Sequence, residues 1–155
     1  MRLSAFVPLV LVTLMTCAGP PGKDLTIDVV LALDGNKCVV RFVDPGLKDA
    51  GHAIAWTAHA VTWQVRSNDC GEKKKTVAKA LGLKHLKFKE NGKTPEWFAQ
   101  CTTLDAIPAK VQAPLAFKCP IPSFQTGVWI GLYEYEIDGD SVEPADPGLD
   151  IRRNG

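Results

Sequence analysis

Cysteines are the residues of this chain with the clearest capacity for covalent or metal chemistry. Four of them lie in the body of the chain: Cys38, Cys70, Cys101 and Cys119. An even number predicts two disulfides in a chain that leaves the cytoplasm, and three pairings are open. We expect Cys70 to bond to Cys101 and Cys38 to bond to Cys119, with free thiols or metal ligands as the alternatives. No pair has the CxxC spacing of a zinc or dithiol redox site, so neither site is predicted.

The three histidines, His52, His59 and His85, are the other candidate metal ligands. His52 and His59 could bind a metal ion together with a carboxylate such as Asp49. Their separation fits no short strand or helix template for ligands, which favours the simpler interpretation of loop histidines near Trp56. His85 lies among lysines, where a solvated side chain is expected. We therefore predict no cofactor and no metal, with His52 and His59 as weak candidates.

Residues 1–18 have the layout of a secretory signal, with the positive charge of Arg2, an apolar run over 5–15 and small residues before Ala18. One interpretation places cleavage after Ala18. In the other, the segment resembles a bacterial lipoprotein signal with Cys17 lipidated, which would make the chain an outer-membrane lipoprotein. We predict export to the periplasm or the outside, with membrane attachment only through Cys17.

Residues 19–155 are predicted to form a single domain. Arg2 is the only charged residue before them, and the full chain has 18 Lys and Arg against 17 Asp and Glu. This domain is therefore neutral overall when its histidines are uncharged. Such a balance predicts no nucleic-acid partner and no general attraction to a membrane surface.

Alternation of apolar and polar residues, which is the period of a half-buried strand, recurs along the domain. The clearest strands, 25–33 and 37–43, flank Asp34-Gly35 and predict a β-hairpin. A strand over 54–65 requires a loop or bulge near 58–60 to bring its two halves into phase. Further strands are predicted over 115–119, 127–137 and 149–153.

About seven strands with little helix predict an all-β fold, a Greek-key antiparallel β-sandwich. Trp63, Tyr133 and Tyr135 fall on the apolar faces of their strands. We expect these three rings to lie between the two layers, because large aromatic side chains are the default filling of a sandwich core.

Residues 67–100 differ from the rest because they are rich in lysine, whereas an acidic stretch follows over 134–150. We interpret 67–100 as a short helical or irregular insertion over the sandwich, with a helix over 76–85 and a strand from Leu86. Such a surface could bind an anionic envelope component or protein. The candidate binding residues are Lys73, Lys74, Lys75 and Trp97. The alternative is a solvated, lysine-rich edge that discourages association between sheets.

Several strand motifs of the domain carry a family resemblance. They are Val61-Thr62-Trp63-Gln64-Val65, Phe117-Lys118-Cys119, Tyr133-Glu134-Tyr135-Glu136-Ile137, and Asp146-Pro147 before Leu149-Asp150-Ile151. Together they resemble cupredoxin-like sandwich proteins, most closely the uncharacterised exported bacterial members with a similar final Asp-Pro strand. The resemblance implies a Greek-key sandwich of seven or eight strands.

The family's copper site uses two imidazoles, one thiolate and usually an axial methionine. Cys119 lies where the family has its ligand loop, but 120–125 contains no histidine. The only methionines are Met1 and Met15, both in the leader. The resemblance therefore implies the fold without the copper ligands.

These observations predict a non-enzymatic exported module that binds an unknown ligand or has a structural role in the envelope. The alternative is a copper-binding or electron-transfer protein with an atypical site. No catalytic residue is predicted, because the chain lacks a Gly-x-Ser-x-Gly elbow and an HExxH helix.

Overall fold

The computed structural model describes residues 22–43, 52–74, 81–125, 128–139, 142–145 and 148–154, with the backbone alone at 52, 72–74 and 142–145. The predicted leader, with Cys17, lies outside these residues. The strands are β1 (Leu25–Asp34), β2 (Lys37–Phe42), β3 (His52–Trp56), β4 (Ala60–Asn68), β5 (Leu81–Phe88), β6 (Leu115–Pro120), β7 (Gly131–Gly139), β8 (Val142–Ala145) and β9 (Gly148–Arg152). A short helix, α1 (Asp69–Lys74), follows β4, and a 3₁₀ helix, Glu96–Gln100, precedes β6.

Two four-stranded sheets pack face to face. Sheet 1 has the order β2-β1-β4-β6, and sheet 2 has the order β5-β7-β9-β3. β8 pairs with β7 and with β2, so it joins the two sheets at one edge. The predicted all-β sandwich is confirmed, although the sheets are mixed, because β1–β4, β2–β8 and β3–β9 are parallel pairs.

The core between the sheets is filled by alternate residues of the facing strands. Trp63 of β4 and Tyr133 and Tyr135 of β7 are each at most 1% exposed. The Trp63 ring stacks on Phe117 at 5.4 Å and meets Tyr135 edge-on at 5.3 Å. Full burial of such a side chain contributes about 1.5–3 kcal/mol. The expectation that these three rings lie between the layers is confirmed.

The hairpin predicted around Asp34-Gly35 is present. β1 and β2 pair antiparallel with Asp34 opposite Lys37, which leaves Gly35 and Asn36 as a two-residue turn. Gly35 has a φ of +58°, a left-handed conformation that glycine adopts at little cost because it has no Cβ.

The segment predicted as one strand over 54–65 forms two strands in different sheets. β3 ends at Trp56 in sheet 2, and β4 begins at Ala60 in sheet 1. Between them, Ala58 has a positive φ of 64°. The break predicted near 58–60 is confirmed, and it is the point where the chain crosses from one sheet to the other.

The position of β5 shows that 67–100 is not simply an insertion lying over the sandwich. Its residues pair antiparallel with β7, so it is a strand of sheet 2. The helix predicted over 76–85 is wrong for 81–85, which are strand, and 75–80 lie outside the described residues.

A β-bulge accounts for this error. The register between β5 and β7 shifts between Leu83 and His85, so Lys84 is the extra residue. Buried side chains therefore fall at Leu81 and Leu83 before the bulge and at Leu86 and Phe88 after it. The period of two is interrupted, so alternation alone does not indicate one continuous strand over 81–88.

The predicted disulfide pairing is also wrong. Cys38 bonds to Cys70, with 5.7 Å between their Cα atoms, and Cys101 bonds to Cys119, with 4.1 Å. Cys38 lies on β2 and Cys119 on β6, the opposite edges of sheet 1. Three strand spacings separate these edges, about 14 Å, and a disulfide requires Cα atoms within about 7 Å. The expected bond between Cys38 and Cys119 is therefore excluded by the order of the strands.

Candidate functional site

The candidate binding residues of the sequence do not converge on one surface. Trp97 is only 4% exposed, and its ring lies 5.9 Å from that of Tyr133 in the core. Its position does not support a surface ring that stacks on a ligand. Lys73 and Lys74 end α1 with side chains outside the described residues, and Lys75 is outside them altogether.

Other lysines of the 67–100 segment are paired with the acidic strand β7. The Lys84 ammonium lies 3.2 Å from Asp138 and 3.6 Å from Glu136. Lys89 lies 3.7 Å from Glu134 across the same strand pair. The hydrogen bond from Lys84 to Asp138, followed by the charges of Asp138 and Glu136, raises the pKa of Lys84 above its ordinary value. Lys84 and Lys89 are therefore partly neutralised by the acids of β7.

His85 belongs to the same paired surface. Its Nδ1 lies 3.4 Å from a carboxylate oxygen of Glu136. Beside this group, a shallow cleft of about 260 Å³ is lined in part by Lys84 and Asp138. Because the charges that line the cleft already have partners, the cleft indicates no ligand chemistry.

The residues present do not fit a copper site of the cupredoxin type. Cys119 is bonded to Cys101, and a disulfide sulfur supplies no thiolate ligand. His59 has contacts at both ring nitrogens, as described below. The side chain of His52, and Asp49 entirely, lie outside the described residues, so the predicted pairing of these two with His59 is not described. Among the side chains that the structure does describe, no three His, Cys, Asp or Glu groups are placed to hold a metal ion.

The two ends of the described chain meet at the turn between β3 and β4. His59 Nδ1 lies 3.2 Å from Asp24 Oδ1, and His59 Nε2 lies 3.1 Å from Asn154 Nδ2. The Gly22 backbone N–H donates to Asn154 Oδ1 at 2.8 Å. The Asn154 backbone N–H donates to Thr57 Oγ1 at 2.9 Å. We call these five residues the terminal clamp.

The hydrogen-bond partners of the terminal clamp define the tautomer of His59. A carboxylate oxygen only accepts, so Nδ1 of His59 carries a proton and donates it to Asp24. The Asn154 carbonyl oxygen accepts from Gly22, so its amide NH₂ group faces His59. Nε2 of His59 is therefore the acceptor, and the ring in this arrangement is neutral.

A different kind of contact lies at the same end of the sandwich. The guanidinium of Arg153 lies over the ring of Phe124, 4.5 Å from its centroid. Phe124 is 48% exposed, which is unusual for a phenylalanine. Within the part of the chain that the structure describes, Arg153 makes no ion pair, whereas its neighbour Arg152 is paired with Asp150 at 3.0 Å. We call Arg153 and Phe124 the recognition pair.

The segments that carry these groups are joined through the backbone. The Ala58 N–H donates to the Pro122 carbonyl at 3.0 Å, and the Ile121 N–H donates to the His59 carbonyl at 2.9 Å. The loop that leads to Phe124 is therefore held against the turn that carries His59. The terminal clamp and the recognition pair form one surface at this end.

Sequence reasoning selected His59 but missed its partners. Asp24, Phe124 and the adjacent residues Arg153 and Asn154 come from three distant parts of the chain, and no local motif or spacing connects them. Only the parallel pairing of β3 with β9, which brings the C-terminal residues beside the turn at His59, reveals the cluster.

No protein-family model matches the chain, and no curated protein is significantly similar to it. The class of the protein rests on its own architecture, which is a disulfide-bonded all-β sandwich of two four-stranded sheets. No helix among the described residues is long and apolar enough to cross a membrane.

Proposed function

We propose that this chain is a non-enzymatic, exported binding module of the cell envelope, with a cupredoxin-like sandwich as its scaffold. The layout of the leader over 1–18 supports export. The two disulfides are a weaker support, because such bonds persist mainly in oxidising compartments. The partner of the module is a larger envelope component that carries an anionic group.

The observation that carries the proposal is the recognition pair. A guanidinium that lies over an aromatic ring is held in place by the cation–π contact, while the N–H donors at its own edge stay available. These donors match the two oxygens of a carboxylate or a phosphate. The exposed ring of Phe124 adds apolar surface beside the charge. A cation beside an exposed aromatic ring suits a ligand in which an anionic group is attached to a less polar part.

The paired lysines Lys84, in β5, and Lys89, directly after it, support the same location. Lys84 and Lys89 have carboxylate partners on β7, and binding an external anion there would compete with them. Arg153 has no such competitor among the described residues. The Lys73, Lys74 and Lys75 cluster remains the second location to test.

The test uses residues 19–155 with both disulfides oxidised and two anionic probes. Polygalacturonate offers carboxylates, and phosphatidylglycerol vesicles offer phosphates, with phosphatidylcholine vesicles as the neutral control. Arg153→Gln should weaken binding to the preferred anionic probe about tenfold, the loss expected for one charge-assisted hydrogen bond. Arg152→Gln is the matched control, because Arg152 is the next residue and is already paired with Asp150.

Two results would contradict the proposal. One is that the wild-type protein binds neither of the two anionic probes. The other is an equal loss in the two arginine variants, which would indicate a general charge effect. If neutralising Lys73, Lys74 and Lys75 abolishes binding while Arg153→Gln does not, the anion binds at the lysine cluster instead.

A further inference from the structure

We propose that His59 is a proton-sensitive latch, which leaves the Gly22 amide bound to Asn154 when its ring is neutral and releases that amide when its ring is protonated. The inference is independent of the proposed function, because it concerns the terminal clamp and not the anion. It follows from the hydrogen-bond donors and acceptors of the terminal clamp.

Protonation of His59 places a second N–H donor on the ring. Nε2 then carries a proton that points at the NH₂ group of Asn154, 3.1 Å away, so two donors face each other. The Asn154 amide can rotate to present its carbonyl oxygen to the ring. Its NH₂ group then faces the Gly22 N–H, which loses its acceptor.

The rotated arrangement is the favoured one. A hydrogen bond from an imidazolium is charge-assisted and about twice as strong as a neutral one. The Asn154 carbonyl is therefore transferred from Gly22 to His59. One proton on the imidazole thus removes the side-chain contact that holds the Gly22 amide.

The release concerns the Gly22 amide. Asp24 also accepts the Ala60 N–H at 2.9 Å, and this bond does not depend on the ring. Thr57 Oγ1 accepts the backbone N–H of Asn154, so the C-terminal segment stays in place. Gly22 is packed closely in the closed form, because a Cβ added to it would lie 2.7 Å from Cβ of Trp56.

The charged groups around His59 are compatible with release of the Gly22 amide on protonation. The hydrogen bond from the Ala60 N–H, and then that from His59, lower the pKa of Asp24. Lys118 of β6 contributes to the same lowering through its charge. Asp24 thus stays a carboxylate over the range, about pH 5 to 8, in which imidazoles titrate. From β9 and the residues after it, Arg152 is neutralised by Asp150, and Arg153 lies over Phe124.

The experiment follows the imidazole and the Gly22 amide in ¹⁵N-labelled protein, residues 19–155, by NMR between pH 8 and pH 5. Long-range ¹H–¹⁵N spectra identify the tautomer of His59, which should be protonated at Nδ1 at pH 8. Protection of the Gly22 amide, corrected for intrinsic exchange, should fall about fivefold as His59 is protonated, as expected for the loss of one hydrogen bond. His85, on β5, is the internal reference for titration of a histidine that has no contact with Gly22.

Asn154→Asp is the decisive variant because it should reverse the pH dependence of the Gly22 amide protection. A carboxylate at 154 can accept from Gly22 with one oxygen and from protonated His59 with the other. Protection of Gly22 should then persist or rise as the pH falls. Asn154→Ala should leave Gly22 unprotected at both ends of the range. An Nε2-protonated ring at pH 8, or the same pH dependence in the wild type and in Asn154→Asp, would overturn the proposal.

Discussion

The indole nitrogen of Trp63 on β4 donates a 3.1 Å hydrogen bond to the hydroxyl oxygen of Tyr135 on β7, so a directional contact joins the two sheets inside the core. Both side chains are at most 1% exposed. In such surroundings, a donor that loses its acceptor cannot turn to water. The pair therefore favours one relative position of the sheets, which apolar contacts alone specify less sharply.

Tyr135→Phe should destabilise the protein by about 1–3 kcal/mol, because it leaves the buried Trp63 N–H without an acceptor. The measurement is urea unfolding followed by circular dichroism with the disulfides intact. The double variant Trp63→Phe/Tyr135→Phe should lose less stability than the sum of the two single variants, because it removes donor and acceptor together. Strict additivity would show that the hydrogen bond contributes nothing.

Trp97→Phe should cost less than Trp63→Phe, although the two tryptophans are similarly buried. The Trp97 N–H is buried, and no described residue accepts a hydrogen bond from it. Its removal therefore relieves an unsatisfied donor, whereas Trp63→Phe leaves Tyr135 without its partner. We expect the difference in the free energy of unfolding to be about 1 kcal/mol. An equal or larger loss for Trp97→Phe would show that its N–H has an acceptor.

Alkaline pH should unfold the protein through its tyrosines. Burial raises the pKa of Tyr133 to about 12 and raises the pKa of Tyr135 still further. A pKa raised in the folded state gives stability that is present below the unfolded value, about 10, and is lost as the pH rises toward 12. Because the chain has only these two tyrosines, tyrosinate absorbance reports on the core alone.

The absorbance at 295 nm should therefore stay low above pH 10 and rise together with the loss of the strand signal in circular dichroism. A non-reducing gel controls for disulfide cleavage by base. Ordinary titration near pH 10 in a folded protein would contradict the burial of both rings.

The contrast between β1 and β5 shows how much of the fold could be predicted from the sequence. β1 has an unbroken period of two and ends at Asp34-Gly35, so local chemistry alone specifies the strand and its turn. β5 also carries large apolar residues, but the bulge at Lys84 changes their phase. A bulge is stabilised by the partner strand, β7, and single-sequence periodicity does not contain that partner.

The disulfides were not predictable for a related reason. Their pairing depends on which strands are neighbours, and the parallel pairing of β1 with β4 places β2 and β6 at opposite edges of sheet 1. Peptide mapping of the non-reduced protein should identify Cys38–Cys70 and Cys101–Cys119. Finding Cys38–Cys119 instead would contradict the strand order itself.

Replacing Cys101 and Cys119 together by alanine should cost about 3 kcal/mol, as expected for a bond between residues 18 apart in sequence. The loss should appear as a lower midpoint in urea unfolding. The matched control is the wild-type protein after full reduction, which should lose more stability because Cys38–Cys70 opens as well. A double variant as stable as the wild type would show that this bond does not form.

The candidate site was predictable only in its residue types. The sequence separates a lysine-rich segment from an acidic one, and this asymmetry left two interpretations, a basic binding surface and a solvated lysine-rich edge. The antiparallel pairing of β5 with β7 instead places Lys84 against Asp138 and Lys89 against Glu134. These charges, which are distant in sequence, are thus paired in space. Among the described residues, Arg153 makes no ion pair and lies over Phe124, and no sequence pattern distinguishes it.

If the acids of β7 screen Lys84 and Lys89, removal of these acids should create the basic surface that the sequence suggested. Glu134→Gln/Glu136→Gln frees Lys89 and removes one of the two partners of Lys84. We expect this variant to bind polygalacturonate more tightly than the wild type, with an affinity that falls more steeply as salt is added, because the released ammonium groups interact through screened charge.

The control for that variant carries the same change in net charge at other positions. Glu96→Gln/Asp105→Asn removes two exposed acids that have no ion pair among the described residues. If screening is local, only the β7 variant should gain affinity and salt sensitivity, since both variants are shifted equally in total charge. Equal gains would mean that the probe senses net charge, and the pairing across β5 and β7 would then have no part in limiting anion binding.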